Sequence, residues 1–453
     1  MSLIPQKYKE EYLRIIRLGL PILIGQVGMI VVGFADNIMV GRYSTEALAS
    51  ASFVNGIFNT AIFACIGFTY GLTPLVGALF AQKKDHSIGR LMKAGVLLNV
   101  LFALLVTGIM TAIYFNLDRL GQPHQLLPLI RPYFVLYLFG IVPIALFNAF
   151  AQWSYGIKDS STPMWIILGA NALNIFGNWL FIYGNLGFPE MGLTGAGIST
   201  LVARLICPVV LVLIFFMRRR NRGYAEGFRQ PAMTSERLRT INRTSWPVSM
   251  QSAMESGSFS VAALMAGWLG ALELASFQVI IVLSTLGFSI YYSIGVSISV
   301  LVANAKGEGD VKAMRHVAMS GYHVILTLTA ITCLTYIILG RHLVGFFTED
   351  EAVIALTVTA FVPLIAYQLG DATQITFASA LRGTAHVMPM LWIAFISYVV
   401  VGIPATYILA FPVGLGLYGL ILSFSVSLFL AAGLFLFFFL RTTSGRRAQQ
   451  FYS

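Results

Sequence analysis

The sequence predicts an all-α integral membrane protein, with twelve transmembrane helices in two six-helix bundles related by a pseudo-twofold axis. Three observations predict it. Hydrophobic residues make up 57% of the 453-residue chain and charged residues only 10%, against about 25% charged in a soluble domain. Apolar runs long enough to cross a bilayer, about 20 residues at 1.5 Å per residue, recur from end to end. The second half repeats the first at a nearly fixed offset. Helices are expected because an open sheet in lipid leaves its backbone polar groups unsatisfied.

The spans fall in order along the chain. The first, 13–40, follows a basic start and holds Pro21 and Asp36; the second, 47–80, opens on Leu48-Ala49-Ser50 and holds Cys65. The third, 91–116, follows the basic loop Lys83–Lys93 and carries Gly95; the fourth, 127–156, follows Arg119 and ends at Gly156. The fifth, 163–184, begins at Pro163 and carries Asn174 and Asn178; the sixth, 192–217, begins at Gly192-Leu193 and holds Thr200, Arg204 and Cys207. After a basic stretch come 246–269 with Pro247 and Glu255, 274–304 with Leu274-Ala275-Ser276, and 316–339 with Gly321, His323 and Cys333. The last three are 352–381 with Tyr367 and Asp371, 387–411 with Pro389, and 415–440 with Gly416-Leu417.

These boundaries divide the chain into an N-terminal bundle (1–217), a basic linker (218–245), a C-terminal bundle (246–440) and a tail (441–453). Pro21 recurs as Pro247, an offset of 226 residues that also relates Gly41 to Gly267, Gly95 to Gly321 and Pro163 to Pro389. Gly156 meets Gly383 after a slip of one, and Gly192-Leu193 meets Gly416-Leu417 at 224. An even number of spans per half gives both halves one orientation, hence an axis along the membrane normal. Two such bundles leave a central cleft that can open to either side by rocking.

The net charge of +11 and pI near 9.6 suggest nucleic acid until the charges are placed. Of 29 Lys and Arg, 24 fall on one side of the membrane, including the linker and the tail from Arg441. Only Arg42, Arg119, Arg131 and Arg341 fall on the other, and Arg204 lies inside a span. The positive-inside rule therefore places both termini in the cytoplasm and removes the nucleic-acid reading. The three cysteines all fall in spans and read as small packing residues. The polar start runs straight into a long span, so no cleavable signal peptide is expected. The sequon Asn242-Arg243-Thr244 falls on the cytoplasmic side and is discounted.

Three carboxylates, Asp36, Glu255 and Asp371, lie inside spans, while the other 15 of the 18 acidic residues fall in loops, tails or span edges. An ionised group at mid-bilayer costs roughly 3 kcal/mol on insertion scales, so such groups point to ion-coupled transport. The repeat separates them: the partner positions are Ala262 for Asp36, Met29 for Glu255 and Ala145 for Asp371. Gln251, Glu255 and Ser258 share one helix face, as do Tyr367, Asp371 and Gln374. If those faces meet, two carboxylates and a phenol converge in a dry pocket whose oxygens suit Na⁺ or let one carboxyl carry a proton. Helix bridging by hydrogen bonds is the plainer alternative. Asn174 and Asn178, one turn apart, could face Asp36 or serve as interhelical glue. His323 could relay protons or simply pack. Tyr291, Tyr292, Phe139, Phe147 and Trp179 could line a cavity for organic cations. No phosphate loop, His-Glu-x-x-His, Gly-x-Ser-x-Gly or arginine-rich voltage sensor occurs, so the reading is not an enzyme, and no cofactor is expected beyond a coupling ion.

Gly33-Phe-Ala-Asp-Asn-Ile-Met-Val-Gly41, Asn174 through Gly184, Ala380-Leu-Arg-Gly383, Phe395-Ile-Ser-Tyr398, Gly402-Ile-Pro404 and Tyr407-Ile-Leu409 carry a further signal. With them the chain resembles the multidrug and toxic compound extrusion (MATE) transporters of the NorM-like branch, along nearly its whole length. The resemblance implies export of cationic, amphipathic drugs or toxic metabolites by alternating access, driven by Na⁺ or H⁺ influx through a bacterial inner membrane. It implies a coupling-cation site at Glu255, Asp371 and Tyr367, and a second at Asp36 with Asn174, Asn178 and Thr200. A monomer in membrane lipid is expected. The rival is a lipid-linked oligosaccharide flippase, which should show intramembrane cations for pyrophosphate.

Overall fold

The computed structural model describes residues 6–119, 123–231 and 233–444, and among them there is no strand. The first half runs α1 (Gln6–Tyr43), α2 (Thr45–Thr69), α3 (Leu72–Ala81), α4 (Asp85–Phe115), α5 (Leu127–Gly156), α6 (Ser161–Tyr183) and α7 (Gly192–Met217). Then come α8 (Arg222–Arg229), α9 (Ser235–Leu269), α10 (Ala271–Gly307), α11 (Val311–Gly345), α12 (Glu351–Thr359) and α13 (Phe361–Gly383). The chain closes with α14 (Met388–Ala394), a π-helical stretch Phe395–Gly402, α15 (Ile403–Ala410) and α16 (Gly416–Thr442). Of the expected tail, the part beyond Ser444 lies outside the described residues.

Side chains start these helices where the sequence offers them. Ser44 accepts from the Ala47 amide, Asp310 from Ala313, and Asp350 from Ala352 and Val353, so orphan donors of the first turn are satisfied. Gly184 ends α6 at φ +68°, in the left-handed region a Cβ disfavours. The outer faces stay apolar, as lipid requires. On α4, Leu101, Leu104, Leu105 and Ile109 are all more than half exposed.

Among the described residues, ten helical stretches are long and apolar enough to cross a membrane, and the pair α12–α13, bent by 52°, supplies an eleventh. α9 is the twelfth expected span. It is 35 residues long, but Gln251, Glu255 and the serines at 249, 252, 256 and 258 dilute its apolarity. The span that carries Glu255 is thus the least lipid-like of the set.

The chain packs as two units. One is Ile24–Ser249; the other joins the described residues before Ile24 to the described residues from Met250 on. Both boundaries fall three residues after the repeat-related prolines, Pro21 in α1 and Pro247 in α9. α1 and α9 are continuous through these packing boundaries. The 218–245 stretch is largely helical: α8 packs on α4, and α9 begins at Ser235.

The repeat holds at the level of contacts. A Cβ on Gly95 would come within 2.6 Å of Leu72, and Gly321 faces Ile298, the same pair displaced by 226 residues. Gly156 backs onto Val76, and Gly383 onto Val302. The first unit's core gathers Phe58, Phe134, Tyr137, Ile141 and Ile182. The second gathers Phe277, Leu283, Leu364, Tyr367, Tyr398 and Phe424.

Candidate functional site

In the first unit the four residues singled out from sequence come together. Asp36 lies two turns from the end of α1, and Asn174 and Asn178 lie one turn apart on α6, both buried. The Asn178 amide donates to Asp36 Oδ1. With the Asn174 amide oriented to satisfy both its ends, its nitrogen donates to the same oxygen at 2.8 Å. Its oxygen then accepts from Thr200 Oγ1 of α7 at 3.2 Å. Ser199 Oγ donates to the Asn174 carbonyl at 2.7 Å and pins α6 to α7. Asn178 Oδ1 is buried with no hydrogen-bond partner among the described residues, which leaves a lone pair for a cation.

Sequence reasoning missed the other charge in this cluster. Arg204 of α7 stands over the Tyr137 ring, 4.3 Å from its centroid, and acts electrostatically on Asp36. Tyr133 donates to the Tyr137 hydroxyl at 3.2 Å. Room for the arginine comes from Gly140, where a Cβ would come within 2.8 Å of the guanidinium. Arg204 lies four residues after Thr200 on the helical face that meets Asn174, and that spacing was the available signal.

In the second unit Glu255 of α9, with Tyr367 and Asp371 of α13, gathers in one cluster where each acts on the others electrostatically. Asp371 and Tyr367 are buried; Glu255 lies deep in the protein but keeps some accessible surface. The rings of Phe259 and Phe424 pack against Tyr367 and against each other, closing the apolar side. Asp371 Oδ2, Gln251 Oε1 and Gln374 Oε1 are buried without hydrogen-bond partners among the described residues. A set of carboxylate, amide and phenol oxygens with free lone pairs suits a hard cation or a shared proton.

Tyr398 joins this cluster, within polar reach of Glu255 though short of good hydrogen-bond geometry. It sits in the π-helical stretch, whose wider turn redirects side chains relative to the flanking α14 and α15. At the repeat-related position α6 is an uninterrupted α-helix. Nothing in Phe-Ile-Ser-Tyr-Val-Val-Val-Gly announces the extra residue per turn.

Other expectations resolve plainly. His323 shares a hydrogen bond with the Tyr12 hydroxyl at 3.0 Å. Tyr291 and Phe147 are buried, whereas Phe139 and Trp179 face outward at 68% and 41% exposure. Cys65, Cys207 and Cys333 are free thiols.

The family model MatE matches residues 21–180 and matches again at 247–408. The chain belongs to the MatE family. The two matches begin at the two repeat-related prolines, so the MatE unit is the half-chain that the repeat defines. This MatE protein is 29% identical to the multidrug resistance protein NorM of Vibrio cholerae, over 89% of this chain and 88% of that protein. It is 30% identical to the NorM of Photobacterium profundum, over the same shares. A crystal structure of a MATE protein in complex with MaL6 matches its fold with a TM-score of 0.88 over 97% of both chains, at 18% identity. A lipid II flippase (MurJ) model also matches, but only across 127–286.

Proposed function

We propose that this MatE protein is a secondary active antiporter of the bacterial inner membrane, with both termini cytoplasmic, working as a monomer. It exports cationic amphipathic drugs or toxic metabolites in exchange for Na⁺ or H⁺ by alternating access. The observation that carries the reading is the Glu255–Asp371 pair, two carboxyl groups that act on one another inside the second unit, with Asp371 buried and its Oδ2 without a hydrogen-bond partner among the described residues. The curated NorM relatives are named for multidrug resistance, which supplies the substrate class. Asp36, with Asn174, Asn178 and Thr200, forms a second cation site.

A cation binding at Glu255 and Asp371 favours the state that releases drug outward, and linkage then requires drug and cation to oppose one another's binding. The flippase reading needs free cations for pyrophosphate. Arg204 is engaged with Tyr137 and Asp36, so it does not serve that role.

Dye efflux from proteoliposomes under separately imposed Na⁺ and H⁺ gradients identifies the coupling ion. Asp371→Asn is expected to abolish gradient-driven efflux while membrane insertion and yield stay unchanged. Drug resistance at the parental level in that variant would sink the proposal.

A further inference from the structure

The stretch that reads as a linker builds a pocket. α7 ends on Phe216 and Met217, three arginines follow at 218–220, and α8 begins at Arg222. α8 has two faces: Tyr224, Ala225 and Gly227 are buried, while Arg222, Glu226 and Arg229 are exposed. Its buried face meets α4 backbone to backbone, with Gly89 against the Tyr224 carbonyl and Gly227 against His86. The arginines are therefore presented by a docked helix.

Between α7 and α8 lies a cavity of about 300 Å³, lined by Phe216, Met217, Arg218, Arg219, Arg222 and Arg229, with Glu226 its one acid. Arg222 pairs with Glu226 at 2.9 Å, Arg218 is held by Asp159 at 3.1 Å, and the Arg229 guanidinium lies 5.8 Å from the Phe216 ring. The cavity keeps an excess of positive charge in a fork geometry that suits phosphate. Its apolar wall continues up α7. Val209, Leu213 and Met217, at i, i+4 and i+8, are 56%, 50% and 76% exposed along one helix face.

We propose that this pocket binds an anionic phospholipid, its phosphate among Arg219, Arg222 and Arg229 and an acyl chain along Met217, Leu213 and Val209. A free phosphate would use the arginines but not the apolar track, and the continuity of the two favours a bilayer lipid. Juxtamembrane arginines on the charge-rich side of a span attract anionic lipid at about fivefold in affinity each.

The test is native mass spectrometry of the full-length protein titrated with phosphatidylglycerol or phosphatidylcholine. Phosphatidylglycerol is expected to bind at least tenfold more tightly. Arg219→Gln with Arg229→Gln should weaken it about 25-fold at that fivefold per charge; the same pair changed to Lys should stay within a few-fold of parent. Arg239→Gln with Arg243→Gln, on the exposed start of α9, should leave it unchanged. Equal losses from the pocket pair and the α9 pair, or no loss from the pocket pair, overturn the site. Inorganic phosphate displacing phosphatidylglycerol at equal concentration, with Met217→Asp without effect on lipid binding, overturns the lipid in favour of a free anion.

Discussion

Asp36 and Arg204 show what a single residue requires in lipid. A half-buried carboxylate needs donors, and the two asparagine amides supply them from one face of α6. That much was legible, since Asn174 and Asn178 are one turn apart and polar residues in spans seek one another. The acceptor for Arg204 was not, because a guanidinium settling on the Tyr137 ring depends on α5 approaching α7 at Gly140. Removing the arginine strips a half-buried cation–π contact and a counter-charge from Asp36, so Arg204→Met is expected to lower stability by about 1 kcal/mol. Asp36→Asn in the same chain should recover part of that loss, measured by thermal unfolding in detergent. Strictly additive losses would mean the two charges do not act on one another.

At the scale of the element, α8 and the π-helical stretch are where sequence reasoning ran out. Residues 218–245 read as a linker because they are basic and polar, yet α8 folds against α4. Amphipathicity over eight residues is too short a pattern to distinguish from chance. The docking has a pH signature. Burial, with the Asp85 carboxylate next, pushes the Tyr224 phenol from its ordinary 10.0 to about 12. A phenol whose folded value is raised stabilises the docked state fully below pH 10, and this is lost as pH rises through about 12. The anisotropy of a fluorophore placed at Glu226→Cys, in a background lacking the three native cysteines, should fall in that window. Tyr224→Phe should remove the step; an unchanged step in that variant would assign it to another group. In α9 the same scale explains why the span carrying Glu255 is the least apolar: a helix that exposes oxygens to an ion cannot also be a lipid-like rod.

For the whole molecule, both unit boundaries follow a proline in a long continuous helix. Proline removes a backbone donor and leaves a carbonyl one turn back without its rung, so α1 and α9 are weakest near where the chain changes unit. The antiport scheme makes an equilibrium prediction at this scale. Saturating the coupling cation should weaken drug binding, and saturating drug should weaken cation binding by the same factor, within the usual range of about 5–150-fold. Equilibrium dialysis in both directions checks it, and a drug affinity indifferent to cation ends the scheme.

The sequence by itself determined the membrane class, the twelve spans, the duplicated half-chain and the three carboxylates that lipid makes costly. Each of these is written in local hydropathy, in fixed spacing or in residue type. Only the tertiary structure decided that Tyr398 joins Glu255, that Arg204 shares the Asp36 cluster, that α8 docks on α4, and that the described residues before Ile24 pack with the second unit. Those outcomes depend on how far each helix is rotated about its axis and which neighbour it meets. Helical period fixes which residues share a face, but it leaves the direction of that face to packing between segments far apart in the chain.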